Sequence, residues 1–240
     1  MTHREVQQIA KNAIQILGEE ARPGMTEQDL VAVLDRAQRD QGIVSYWFNG
    51  SPALLFAGEH RTVISLSVDD YGGPTDYALK DNDIITIDLS PEVDGVWSDY
   101  ARTLIMQDGR VVPHDQVRDE VFREGLAMED TLHQLLVDSA RPDITFHELH
   151  GIIDRFLTDS GYENLDFLSN FGHSIVEGMA SGAFIEFHND HRIFFDTNNH
   201  APLSSVRFFT FEPHIRRRDG TFGFKREDIY TFRDGQLEAI

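Results

Sequence analysis

The sequence predicts an α+β fold in which two related helix–helix–strand halves pool their strands and cover one face with helices. Three observations carry this expectation. First, residues 2–21 place Val6, Ile9, Ala10, Ala13, Ile14 and Leu17 at helical spacing. Second, the stretch RPGMTEQDLVAVLDRAQRDQGI follows with Thr26 as N-cap, an apolar stripe of Leu30, Val33 and Leu34, and Gly42 as a stop. Third, sliding the chain along itself by 119 positions lays Ala21-Arg22-Pro23 on Ala140-Arg141-Pro142, Thr26 on Thr145, Leu30 on Leu149, Asp35-Arg36 on Asp154-Arg155, Asp40 on Asp159 and Gly42 on Gly161. Two amphipathic helices with similar starts and stops would share some of these matches. The coincidence of polar surface positions favours duplication.

Strand-rich regions fit that plan at 43–70 and 83–106 in the first half and at 171–195 and 203–233 in the second, with a long helix over 114–138 between them. No Ser/Gly/Pro-rich linker or low-complexity tract separates them. The expectation is a single domain over 1–240, with halves of about 1–113 and 114–240 and no extra N-terminal domain.

With 240 residues, 40% of them apolar, the chain is long enough for a proper core. Its 41 acidic against 21 basic side chains give a net charge of −20, which repels phosphate backbones and anionic membranes alike. No run approaches the roughly 18 to 20 apolar residues that span a bilayer, and the first residues lack a signal-peptide core. The expected setting is cytoplasmic, with neither nucleic acid nor membrane as partner and a homodimer as the assembly to test. The absence of cysteine excludes disulfides, thiolate ligands and cysteine nucleophiles. A metal would have to be held by His, Asp and Glu.

The stretch IITIDLSPEVDGVWSDYART sets Asp88 and Asp99 inside apolar, strand-like runs on either side of an Asp-Gly turn. If Asp94-Gly95 is a two-residue hairpin turn, Asp88 faces Ala101 across the ribbon. Asp99, two residues from Ala101, then points to the same side as Asp88. Diagonal neighbours of this kind lie about 7–8 Å apart, which lets two carboxylates converge on a common ion. Two further readings stand beside a bound cation: both acids facing solvent from an open sheet, or a proton shared between them.

The second half adds candidates. His173 follows a glycine in the apolar run NFGHSI, where a lone histidine is often a satisfied core residue. In SVRFFTFEPHI, alternation puts Val206, Phe208, Thr210 and Glu212 on one inward-looking face that is otherwise apolar. Glu227 starts a strand with Ile229 and Thr231 as same-face neighbours. Four carboxylates and an imidazole on predicted strands suit two divalent cations bridged by carboxylates.

In order and local pattern these five residues resemble the pita-bread metallopeptidase family of methionine aminopeptidases, Xaa-Pro aminopeptidases and prolidases, with creatinase as a relative. IDLSPEVDGVWSDYART is similar to the family's first strand pair, with its aspartates 11 residues apart. FGHS resembles its Gly-His element, FTFEP its Glu-Pro element, GFKRED its final Glu-Asp element, and RPGMTEQDL its helix start. The resemblance covers essentially the whole chain. It implies a curved antiparallel sheet covered by helices, and two divalent ions (Mn, Fe, Co or Zn). It also implies that Asp88 binds one ion, that Asp99 and Glu227 bridge both, and that His173 and Glu212 hold the other. A water activated by the metals would attack the N-terminal peptide bond of a short peptide or small amide, with Glu212 as general base.

The substrate-contacting histidines of the family match less well. Its His-Tyr-like element reads Asp70-Tyr71 here, so an acid stands where a donor is expected and suits a cationic substrate group. The position seven residues past His173 is Ala180. His188 in FIEFHND is the candidate for the missing imidazole if VEGMASGA is an insertion, and a solvated residue otherwise. His214 stands in FEPHI where the family has a small residue, so it crowds or lines the pocket. The altered substrate shell leaves two further expectations: a non-peptidase enzyme cleaving a C–N or C–S bond in a small metabolite, and a binding module that has lost catalysis.

Overall fold

The computed structural model describes residues 1–48, 50–66, 70–175 and 192–240. It opens with α1 (His3–Glu20), whose stripe of Val6, Ala10, Ala13 and Leu17 is fully buried. Thr2 and Glu5 close a capping box at its start, and Thr26 with Asp29 do the same for α2 (Glu27–Arg39). The helix expected over 114–138 begins later. Pro113 leads into one 3₁₀ turn, His114–Gln116, and α3 (Glu120–Ser139) starts only where the Asp119 carboxylate accepts from the N–H groups of Val121 and Phe122. A fourth helix, α4 (Phe146–Asp159), is boxed by Thr145 and Glu148.

The repeat seen at an offset of 119 residues has a backbone counterpart. Thr26 bridges Ala78, and Thr145 bridges Pro202. The free N–H groups that open α2 donate to the carbonyls of Tyr77 and Thr75, and those that open α4 donate to Ala201 and Asn199. Each helix start is thus pinned to a later segment of its own half.

The first half contributes β1 (Ser45–Tyr46), β2 (Leu54–Ala57), β3 (Asp83–Leu89), β4 (Pro91–Val93), β5 (Val96–Trp97), β6 (Tyr100–Gln107) and β7 (Arg110–Val112). The second contributes β8 (Tyr162–Asn164), β9 (Ser174–Ile175), β10 (Phe208–Phe211), β11 (His214–Arg217), β12 (Phe224–Lys225), β13 (Asp228–Arg233) and β14 (Gln236–Ala239). Their sheets run in the orders β2-β3-β6-β7 and β1-β4-β5, then β9-β10-β13-β14 and β8-β11-β12. Adding seven to each label of the first pair reproduces the second. The short strands β7, β8 and β14 fall outside the windows expected from periodicity, because three or four residues carry too little alternation to register.

One antiparallel ribbon carries Asp88. Its register runs from Asp83↔Met106 through Asp88↔Ala101 to Glu92↔Trp97 and Val93↔Val96, interrupted at Ser90 and at Ser98-Asp99. Asp94 and Gly95 take φ of 53° and 77°, the left-handed pair that matches a hairpin turn to strand twist. The expected pairing of Asp88 with Ala101 is therefore the observed one.

Helices α1 and α2 pack on Ile85, Ile87, Leu89 and Met106. Helices α3 and α4 bury Leu132, Leu136, Leu149 and Ile153 against Phe209, Phe211 and Phe224. This corrects the reading of β10: its core face carries Phe209 and Phe211, while Thr210 and Glu212 lie on the opposite face, toward His173. Both faces are apolar enough to mislead alternation, and the helices decide which is inside. No helix among the described residues is long and apolar enough to cross a membrane.

The duplicated caps give a stability prediction. Thr26→Ala and Thr145→Ala should each lower the unfolding free energy by about 1 kcal/mol in urea denaturation, and the double variant by about the sum.

Candidate metal centre

Each acidic side chain of the candidate centre is delivered by a ribbon or by the break between two strands. Asp88 lies on β3 between Ile87 and Leu89, which face the α1/α2 core, so its carboxylate projects from the other side. Asp99 stands between β5 and β6, and Glu227 stands between β12 and β13, the corresponding place in the second half. Asp88, Asp99 and Glu227 each bring a carboxylate oxygen to within 4.8 Å of the others.

The close approach of Asp99 and Glu227 is held from behind. The Glu227 N–H donates to the Ala101 carbonyl at 2.9 Å. Arg102 donates to the Glu227 carbonyl at 2.6 Å and to the Asp228 carboxylate at 2.6 Å. Asp228 stays ionised below its ordinary range: burial works against its charge, and Arg102, His133 and Arg226 outweigh it. The strand carrying Glu227 is thereby clamped to the strand that follows Asp99.

His173 is placed by a backbone approach that excludes any side chain before it. Gly172 sits at φ 141°, and a Cβ there would lie 2.2 Å from the Thr210 carbonyl oxygen. The His173 N–H donates to Thr210 Oγ1 at 3.0 Å, and the Thr210 N–H returns to the His173 carbonyl at 2.8 Å. Its ring stacks on Trp97 at 5.9 Å and meets the edge of Trp47 at 6.1 Å. Nδ1–H donates to the Ser174 carbonyl at 3.1 Å, so Nε2 carries the lone pair. Nε2 lies 3.3 Å from Asp99 Oδ2 and 3.7 Å from Glu212 Oε1. Burial, with Arg192 nearby, lowers its pKa to about 4 and keeps it neutral.

The structure thus brings Asp88, Asp99, His173, Glu212 and Glu227 to one place, and two observations show that they suit a divalent metal. Both carboxylate oxygens of Glu227 are buried and receive no hydrogen bond from a protein donor. Close approach to Asp99 then demands a shared proton or a cation. Burial, then neighbouring carboxylates, push Asp99 and Glu227 above their usual range, and burial also raises Asp88, against the pull of Lys225. Unsatisfied oxygens beside a neutral imidazole with its lone pair directed inward are the donor set a divalent ion takes.

Lys225 was not singled out from the sequence, although it lies within GFKRED. Its ammonium contacts Asp88 and lies 3.4 Å from Glu212 Oε2. Burial opposes its charge, yet Asp88, Glu212 and Glu227 together hold it well above its usual range. The side chain tethers the two outer carboxylates. Arg102, quoted in the same motif as Asp99, is the other missed contributor. Neither role could be read from spacing, because Asp88 lies 137 residues from Lys225 and Asp228 lies 126 from Arg102.

Asp88, Asp99, His173, Glu212 and Lys225 floor a cavity of about 310 Å³, while Glu227 is fully buried. Its walls include Trp47, Phe48, Phe56, Ile64 and Phe194, with Arg192 and His214 also facing in. His214 donates from Nε2 to the Thr62 carbonyl at 2.7 Å, and burial lowers its pKa to about 4, so a neutral imidazole lines the pocket. Asp70 is exposed and is not among the lining residues. The hydroxyl of its neighbour Tyr71 accepts from the Leu55 N–H at 3.3 Å, and the Tyr71 ring packs edge-on against Phe56 of the cavity wall. Ala180 and His188 lie outside the described residues.

Residues 2–234 match the model of Metallopeptidase family M24. The chain belongs to this family. Membership in a metallopeptidase family implies divalent metal, in keeping with the donor set above. Among curated relatives, an Xaa-Pro dipeptidase of Lactobacillus delbrueckii subsp. lactis is 26% identical over 213 residues, covering 88% of this chain and 50% of the relative. A methionine aminopeptidase of Helicobacter pylori is 31% identical over 162 residues, covering 66% of this chain and 58% of the relative. The prolidase from Pyrococcus furiosus superposes with a TM-score of 0.77 at 19% identity, covering 99% of this chain and 62% of that one. The X-Pro aminopeptidase from Thermotoga maritima gives 0.75 at 18% identity, covering 99% and 59%. The architecture is the pita-bread fold of those metallopeptidases, and the chain spans between half and two thirds of their length.

The electrostatics predict how a metal-free protein responds to pH. Above about pH 6.5, His133, His173 and His214, lowered by burial to about 3, 4 and 4, are neutral in both the folded and the unfolded chain. Asp99 and Glu227, raised in the folded state, hold protons there that the unfolded chain has released. Folded stability therefore falls as pH rises through this range. The melting temperature in chelator should drop between about pH 7 and 9, and added Mn²⁺ should remove most of the drop. An equal slope with and without metal would contradict the assignment of these carboxylates.

Proposed function

We propose that this member of the family is a metal-dependent hydrolase cleaving the N-terminal bond of a short peptide or a related small amide. The observation that carries the reading is the convergence of Asp88, Asp99 and Glu227, with His173 Nε2 and Glu212 beside them, at a cavity that Asp88, Asp99, His173 and Glu212 line and that is sized for a small substrate. Asp88 would hold one divalent ion, His173 and Glu212 a second, and Asp99 with Glu227 both. Mn, Fe, Co and Zn all accept this ligand set. Such ions supply Lewis acidity for the scissile carbonyl and lower the pKa of water.

The remaining work falls to the chain's own groups. Glu212 would take the proton from the attacking water and pass it to the leaving amine, a reading supported by its position beside His173, with Thr210 Oγ1 at 3.4 Å and its outer oxygen near Lys225. Lys225 and Arg102 hold the carboxylates in register, and the apolar walls exclude bulk water around the reacting centre. His214 presents a neutral ring to the substrate, and His188 is proposed as a further substrate contact from its sequence segment alone. Residues 1–240 are read as one catalytic unit built of related halves, supported by the repeated strand order.

Metal-loaded protein should cleave at least one of a panel of Met-, Ala- and Xaa-Pro-initiated peptides. Asp99→Ala and Glu227→Ala should each lose at least about a hundredfold in kcat/KM together with bound metal, followed by elemental analysis. A wild-type protein that retains metal yet cleaves no peptide, while turning over a small metabolite at a C–N or C–S bond, would replace the peptidase reading.

A further inference from the structure

The turn joining β8 to the His173 segment spends many hydrogen bonds on an unusual outcome. The Asp166 carboxylate accepts from the Leu168 N–H at 2.9 Å and the Asn170 N–H at 3.1 Å. Asn164 receives the Asp166 N–H at 3.1 Å and donates to the Asn170 carbonyl at 2.9 Å. Ser169 takes a left-handed φ of 57°, and its carbonyl faces His150 Nε2 at 2.9 Å. The Phe167 N–H donates across to Ser65 Oγ at 3.2 Å, which ties this turn to the first half of the chain. Every one of these bonds fixes backbone or polar groups. What they hold outward are two large apolar side chains, Phe167 and Leu168, left 53% and 55% exposed.

Those side chains line the cavity above the acid cluster. Ile64, Leu66, Phe56 and Phe194 line it with them. A rigid turn that leaves adjacent Phe and Leu half in water, facing other apolar walls of one cavity, loses hydrophobic free energy that a third apolar group would recover. Pre-organisation makes that recovery efficient, because the turn is already ordered before binding.

We infer that the turn over residues 165–169 is a preformed specificity element that packs against a bulky apolar side chain of the substrate. The inference rests on the hydrolase reading and names its substrate class: peptides or amides with an aliphatic or aromatic side chain next to the scissile bond. Charged and small side chains leave the lip wet and gain nothing from it.

The test uses Mn²⁺-loaded protein with tripeptides varied to Leu, Phe, Ser or Asp at the first position and, separately, at the second. At one of these positions Leu and Phe should exceed Ser and Asp by at least about tenfold in kcat/KM. Phe167→Ser with Leu168→Ser should collapse that ratio, with the loss carried by KM, and Phe167→Leu with Leu168→Met should restore it. Calorimetric titration with L-leucinamide against L-serinamide reads the same preference without turnover. No cleavage alongside a leucinamide preference that the serine variant abolishes would overturn the hydrolase reading and leave the lip intact. A ratio unchanged in the serine variant, or a dimer which that variant dissociates, would overturn the specificity element.

Discussion

Mutual repulsion among buried carboxylates is the constraint on which the rest of this structure depends. Two of them within 4.8 Å repel by about 3 kcal/mol at an effective dielectric of about 20, before the cost of removing either from water. Several features of the fold are responses to that strain. Asp99 and Glu227 are set at interruptions between strands. Arg102 and Asp228 lock the backbone behind them, and the Lys225 ammonium neutralises part of the charge from the side. What stays unsatisfied is the pair of Glu227 oxygens, buried without a hydrogen-bond donor, and a divalent cation in place of the proton fits them.

The repeated plan explains how such a cluster is assembled from distant segments. Among the described residues each half builds a four-stranded and a three-stranded sheet in matching order, and each pins the start of its second helix to its own later backbone. Corresponding breaks, after β5 and after β12, then meet where the halves join, one supplying Asp99 and the other Glu227. The halves differ where chemistry needs them to. The glycine that lets His173 approach Thr210 and the Glu212-Pro213 step between β10 and β11 belong to the second half, so the proposed imidazole ligand and the proposed base both come from that side.

Polar demand at the floor contrasts with the apolar character of the walls. Trp47 and Trp97 flank His173 and shield it from water, which lowers its pKa and keeps its lone pair available. Farther out, aromatic and aliphatic side chains shape a space in which a small substrate would be desolvated, with Lys225 and Arg192 as cations beside the acids. The strongly negative chain thus sets local positive charge beside this acid cluster, which a net count of −20 does not reveal.

Much was legible in the residues alone. Helical periodicity, Thr caps and the offset repeat determined where α1, α2 and α4 lie and that the chain is built twice, because these depend on neighbours within a few positions. The Asp-Gly turn determined the pairing of Asp88 with Ala101, since a two-residue loop leaves one register. The five candidate ligands were likewise visible through motif order. Tertiary structure alone decided which face of β10 is buried, that Asp70 stands outside the cavity while Tyr71 packs behind Phe56 of its wall, that Lys225 and Arg102 brace the acids, and that a hydrogen-bonded turn thrusts Phe167 and Leu168 to the rim. Each of those outcomes is settled by contacts between groups far apart along the chain, and packing, unlike periodicity, leaves no local trace in the sequence.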